Sequence, residues 1–210
     1  ATAAAVSDRL AVLDIPVVLT WNAADRLPSE HPAYAGRPNT WGQRAANVIV
    51  QQTDLLVAVG SRLGLQQSGF AWDEFVPAGE IIQVDIDPAE LAKGHPQVRH
   101  PYTGDAGAFL TEVLAGLTPQ EPWTSWRAFT REISALLPLN EAANETAPGF
   151  VRPYEMLMEL ADVAGPEDVI VPASSGGAFT VAMQSLRLRG DQKILTNKAV
   201  ASMGYGHREG

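Results

Sequence analysis

Near the C-terminus, Ser202-Met203-Gly204-Tyr205-Gly206 follows a short apolar run over Lys193-Ile194-Leu195-Thr196. Gly204 and Gly206 let a backbone approach a ligand closely, and Met203 brings a flexible thioether that fills irregular gaps. An apolar methionine in an ordinary loop before a helix accounts for the same residues. Upstream, Val169-Ile170-Val171 leads into Pro172-Ala173-Ser174-Ser175-Gly176-Gly177 and a helix from Ala178. Free amides at such a helix start can hold a diphosphate, and a plain tight turn is an equal account. Asp85 closes an apolar run, where a carboxylate can accept ribose hydroxyls or cap a turn. Gly42, in the first turn of a helix read from Trp41, leaves room for a phosphate. His95 and His100 flank a short loop with neither cysteine nor carboxylate at ligand spacing, so they read as exposed loop histidines and no metal site is expected.

The elements that must position these residues alternate in type. Val- and Ile-rich runs at 15–20, 55–59, 81–86, 169–171 and 193–196 read as strands buried on both faces, as in parallel sheets. Helical patterns lie between them at 6–13 and 41–52, the latter with Thr40 and Gln43 spaced as a capping box. A third helix starts at Asp87-Pro88-Ala89-Glu90 and stops at Gly94, with Asp87 as cap and Glu90 reaching back. A fourth carries Phe109, Leu110, Val113, Leu114 and Leu117 on one face, with Asp105 as its cap. The fold class is therefore α/β: a doubly wound parallel sheet of Rossmann-like type, followed by an incomplete second α/β unit. The stretch 118–152, with four prolines and a helix over 123–137, reads as a linker, and Pro153 opens a further helix. The second unit is too small to stand alone: it packs on the first, borrows a sheet or stays partly disordered.

Composition removes several function classes. Hydrophobic residues make up 46% and charged residues 19%, which suits a globular core. A net charge of −9 argues against a nucleic-acid partner, and the five tryptophans form no stacking stripe with basic neighbours. The chain has no cysteine, so thiolate and disulfide chemistry are excluded. No apolar run is long enough for a bilayer, and the Ala-rich opening lacks a signal peptide's charged region. A cytoplasmic protein with no membrane partner is expected.

Five segments, in order and spacing, carry a family resemblance. They are Ile15-Pro16-Val17-Val18 with Thr20-Trp21; Gly42 with Ala46-Asn47; Asp54 to Val59 with Gly60-Ser61-Arg62; Ile82-Gln83-Val84-Asp85-Ile86-Asp87-Pro88-Ala89-Glu90; and Leu195-Thr196 through Ser202-Met203-Gly204-Tyr205-Gly206. Together they make residues 6–206 similar to the acetolactate synthase-like family of thiamine-diphosphate enzymes. The resemblance implies a central Rossmann-like domain at 1–117 lacking its first strand, the linker at 118–152, and the start of a pyrophosphate-binding domain at 153–210. It implies part of a 2-oxo acid decarboxylase or carboligase, inactive alone, that uses thiamine diphosphate and Mg2+, takes a small 2-oxo acid and assembles as a homodimer or tetramer. Met203 matches the family's wedge beneath the bent cofactor, and the Ala201 carbonyl would accept from its aminopyrimidine. Gly204, Gly176 and Gly177 complete the implied cofactor contacts.

No catalytic residue is expected within this chain, since the family's glutamate sits in a pyrimidine domain before residue 1 and the magnesium motif is absent; Gly104-Asp105-Ala106 is not it. Gly177 and Ala178 replace the family's Gln and His, so backbone contacts to the diphosphate alone are expected. In flavin-binding members the central domain holds FAD, and Gly42, Arg62 and Asp85 are the matching nucleotide-binding candidates here. Trp41 in place of histidine, and Leu63 to Gly69 in place of an acidic-Arg loop, weigh against FAD. ADP, CoA or an empty domain are the alternatives, and Arg62 has a surface ion pair as its plain account. The rival reading of the whole chain is a non-catalytic FAD- or ADP-binding or structural module.

Overall fold

The computed structural model describes residues 2–172, 176–197 and 200–204. Three strands, β1 (Leu55–Val59), β2 (Glu80–Asp85) and β3 (His100–Thr103), form a wholly parallel sheet in the order β1-β2-β3. Leu55 lies opposite Glu80, and Ile82 opposite His100. Helices α1 (Thr2–Leu13), α2 (Arg44–Gln52), α3 (Leu65–Ser68), α4 (Pro88–Ala92) and α5 (Ala106–Gly116) alternate with or precede the strands. This is the doubly wound α/β arrangement expected from the strand and helix periodicities. Central β2 buries Ile81 on one face and Val84 on the other. Ile81 joins Val50, Ala58, Leu63, Phe75 and Val76 in the core against the sheet. The linker carries α6 (Glu121–Leu136), and α1 packs against α5 as α2 does against α6.

Local signals placed α5 well. The Asp105 side chain accepts from the Ala108 amide at 2.8 Å, so the helix begins where a carboxylate satisfies an orphan donor. Asp87 caps α4 in the same way, accepting from Ala89 at 2.9 Å. Glu90 does not reach back to complete a box; its carboxylate turns to Arg62 and Lys93.

Three expectations are corrected. The run 15–20 is no strand of the sheet: Val17 makes an isolated parallel bridge to Tyr34, flanked by bonds from Val17 N to Ala33 O and from Leu19 N to Gly36 O. Its partner is the loop directly after it. The helix read from Trp41 begins at Arg44, and the Thr40–Gln43 box does not form. The Gln43 side-chain oxygen is taken by the Arg37 amide at 3.0 Å instead. Residues 100–103, read as a histidine loop, are the edge strand β3, with all four residues exposed. Pro101 donates nothing to a ladder and is tolerated on an edge, which is why the strand carries no apolar signature.

The second unit comprises α7 (Pro153–Val163), β4 (Val169–Ile170), α8 (Gly176–Ser185) and β5 (Lys193–Ile194), with β4 and β5 parallel. Its two-residue strands bury little, and its stability comes from packing on the first unit. Phe179, Met183 and Leu186 are fully buried together with Trp21 and Ala24 from the segment after Leu19. The Trp21 and Phe179 rings meet edge-on, centroids 5.4 Å apart. Of the three options for an undersized unit, packing on the first is the one adopted.

Candidate functional site

Parallel strands direct ligands to their carboxyl ends, and the chain has two such places. At the first, the end of β5 leads into a cleft of about 240 Å3 lined by Trp21, Asn22, Ile194, Leu195, Thr196, Asn197 and Val200. Gly176 opens α8 with φ +72°, and Gly204 has φ +83°. Both backbones lie in the left-handed region that only glycine enters without strain. A Cβ added at Gly176, Gly177 or Gly204 would meet none of the described residues within 4 Å. Ala201 adopts φ +52°, a sparsely populated conformation for a residue with a side chain, and its amide donates to Asn197 O at 2.9 Å. Met203 is 92% exposed. Ser174, Ser175, Tyr205 and Gly206, read with these loops, lie outside the described residues.

Two residues of this cleft were missed in the sequence. Trp21 sits just past an apolar run and reads there as part of a strand end; in the fold it forms a wall of the cleft while its ring packs on Phe179. The side-chain oxygen of Asn197 is buried and has no hydrogen-bond partner among the described residues. A buried acceptor of this kind costs about 1–3 kcal/mol unless something donates to it. This acceptor suits a ligand that donates from an amine or hydroxyl group.

The second place lies at the carboxyl ends of β1 and β2. Arg62 follows β1 and pairs with Glu90 of α4, which also takes Lys93 at 3.1 Å. Asp85, 8% exposed, accepts from the Asp87 amide at 2.9 Å through its side chain. Hydrogen bonds from Arg62 and then Lys93 hold the Glu90 carboxyl down to about 2. The group carries three carboxylates, Asp85, Asp87 and Glu90, against two cations, Arg62 and Lys93. A phosphate arriving here would have to displace Glu90 from Arg62. Gly42 lies elsewhere: it closes a turn before α2, donating to Asn39 O at 2.8 Å, rather than sitting in the first helical turn. A Cβ on it would come within 2.3 Å of Asn39 N and 2.6 Å of Arg37 O, so the turn itself requires the glycine.

The low Glu90 value sets a pH expectation. A carboxyl depressed from 4.5 to about 2 contributes stability that is present above 4.5 and lost as pH falls through 2. The pair is exposed, so the effect is small. Glu90→Gln is expected to remove the acid dependence of the α4–β1 contact, and a carboxyl NMR titration of Glu90 with a midpoint near 4.5 would contradict the pairing.

Among the described residues, no group of three His, Asp or Glu side chains is placed to hold a metal ion. No described helix is long and apolar enough to cross a membrane.

The model of the thiamine pyrophosphate enzyme central domain matches residues 2–113. Acetolactate synthase of Mycobacterium bovis is 32% identical over 197 residues, covering 91% of this chain and 31% of that protein. Pyruvate oxidase of Lactiplantibacillus plantarum is 27% identical over 194 residues, 92% of this chain and 31% of that protein. The large subunit of acetolactate synthase isozyme 2 of Escherichia coli is 27% identical over 202 residues, 96% of this chain and 35% of that protein. The chain spans about a third of the length of these curated relatives.

Proposed function

The chain belongs to the thiamine pyrophosphate enzyme family, and from that premise we propose that it forms the central domain and the start of the pyrophosphate-binding domain of a 2-oxo acid decarboxylase or carboligase. The division is central domain at 1–117, linker at 118–152 and pyrophosphate-binding part at 153–210. The observation that supports this reading is that Gly176 and Gly177 after β4, and Gly204 with the exposed Met203 after β5, each have open space beside them among the described residues.

Thiamine diphosphate supplies the electron sink for cleaving the bond between a 2-oxo acid's carbonyl and its carboxylate. The residues of this chain bind and orient it. The amides of Gly176 and Gly177, at the positive end of α8, would hold the diphosphate. Ala201, in its left-handed turn, would offer its carbonyl to the aminopyrimidine, and Asn197 a second acceptor. Met203 would pack against the bound cofactor, burying a thioether that is otherwise exposed. Trp21 keeps water from one wall. The magnesium ligands and the acid serving the pyrimidine ring are assigned to other parts of the assembled enzyme.

A homodimer or tetramer is part of this reading. Phe150, Val151, Met156, Leu160 and Val163 are exposed along and before α7, and apolar exposure of that extent supports burial against another surface. The rival reading, a FAD- or ADP-binding module, is weakened by Glu90's hold on Arg62.

The test is release of carbon dioxide from pyruvate and other small 2-oxo acids by the complete gene product. Release that requires both thiamine diphosphate and Mg2+ is expected. The 210-residue chain by itself is expected to bind the cofactor weakly and release none. No release from any 2-oxo acid at saturating cofactor contradicts the proposal.

A further inference from the structure

Residues 36–43 form a turn whose job the cofactor reading does not absorb. Arg37 is 2% exposed, with no carboxylate paired to it among the described residues. Its Nη2 donates to Leu186 O, at the carboxyl end of α8, while its Nε and Nη1 have no partner there. Burial pulls its pKa down, and the Tyr34 phenol works the other way. An arginine in such a place is costly unless something negative faces it, and the unsatisfied carbonyls of a helix end supply about half a negative charge. Leu186 N still donates to Ala182 O at 2.9 Å, so its carbonyl belongs to the last helical turn.

The rest of the turn holds the same helix end. Gln43 Nε2 donates to Gln184 O at 2.6 Å. Gln184 returns a bond to Trp41 O, and its side-chain oxygen accepts from the Tyr154 hydroxyl at 2.8 Å. Ser29 N donates to Leu188 O at 2.8 Å. The two glycines of the turn make this grip fit: a Cβ on Gly36 would lie 2.5 Å from the Gln43 side-chain oxygen, and one on Gly42 would strike the backbone of Arg37 to Asn39. The end of α8 is thus fixed to the central unit by Arg37, Trp41 and Gln43, and Ser29 holds Leu188 just beyond it. The first turn carries Gly176 and Gly177.

We propose that Arg37 is a positioning residue for the cofactor loop: it anchors the carboxyl end of α8 to the central domain, and so sets where the Gly176–Gly177 amides stand. This rests on the reading of the β4–β5 cleft as the thiamine diphosphate site. Helix α8 spans about 15 Å at about 1.5 Å per residue, so a rigid helix transmits a shift at one end to the other.

The test uses the complete gene product with Arg37→Met, which keeps the apolar stem and removes the guanidinium, and Arg37→Lys as the conservative rescue. Gln184→Met serves where Arg37→Met does not fold, with the same expectations. Without cofactor, amide exchange over 180–183, the first hydrogen-bonded amides of α8, is expected to quicken about tenfold in Arg37→Met, the scale of one lost charge-assisted hydrogen bond. The Kd for thiamine diphosphate with Mg2+ is expected to rise about tenfold in Arg37→Met, and about threefold or less in Arg37→Lys. A lowered Tm with exchange over 180–183 and cofactor Kd both within about twofold of wild type overturns the proposal, leaving Arg37 a structural bolt. Faster exchange with an unchanged Kd overturns it too. Wild-type protein that binds no thiamine diphosphate overturns the cofactor reading itself, which the exchange rates then cannot rescue.

Discussion

Phe179→Ala is expected to destabilise the packing of α8 on the central unit by about 3–5 kcal/mol, the usual cost of emptying a fully buried aromatic site. Phe179 has no exposed surface and shares its cluster with Met183, Leu186 and Trp21. The edge-on contact with Trp21 adds about 0.5–1.5 kcal/mol beyond burial alone. The effect is large because β4 and β5 pair over only two residues each and cannot hold the unit together once the cluster is hollow. Urea unfolding of the complete gene product, followed by tryptophan fluorescence, measures it. A loss below about 1 kcal/mol would mean that the cluster is not what joins the two units.

Met203→Ala should do the opposite: spare stability and abolish most cofactor affinity. With 92% of its surface in solvent, the side chain makes no packing contribution that its loss could reveal, and Tm should stay near wild type. If the thioether is buried beneath bound thiamine diphosphate, its removal forfeits about 1.5–3 kcal/mol, a fall in affinity of about ten- to a hundredfold. Met203→Leu, of similar volume, should retain most of the affinity. The paired readings are a thermal melt and a cofactor titration with Mg2+. Equal affinities for wild type and Met203→Ala would remove Met203 from the site.

What the sequence disclosed follows the range of the interaction concerned. Caps are local, and Asp87 and Asp105 were legible from their own positions. Strands β1 and β2 were legible because both are rich in Val, Leu and Ile, although Leu55 and Val57 on the outer face of β1 stay exposed. The run 15–20 shows the same pattern, yet whether it joins a sheet depends on which edge lies beside it, and nothing in its residues names Tyr34 as partner. Edge strand β3 escaped for the converse reason, since hydrogen bonding from one side leaves its exposed residues under no apolar constraint. Gln43 has the right type and spacing for a capping box, but its side chain is committed to Arg37 and Gln184, residues of a turn and of a helix far along the chain. The candidate site divides in the same way. Glycines at 176, 177 and 204 stand out as letters, whereas Trp21 and Asn197 enter the cleft only through the fold. Arg62 looked available for a phosphate until α4 brought Glu90 against it.

The account depends most on where thiamine diphosphate sits, and a crystal structure of the complete gene product with the cofactor and Mg2+ measures that directly. The predicted result is a bent cofactor between Gly176-Gly177 and the 201–204 turn, with the Met203 side chain moved from solvent into contact, about 4 Å, with both rings. A cofactor bound elsewhere, or one bound here while Met203 stays in solvent, would contradict it.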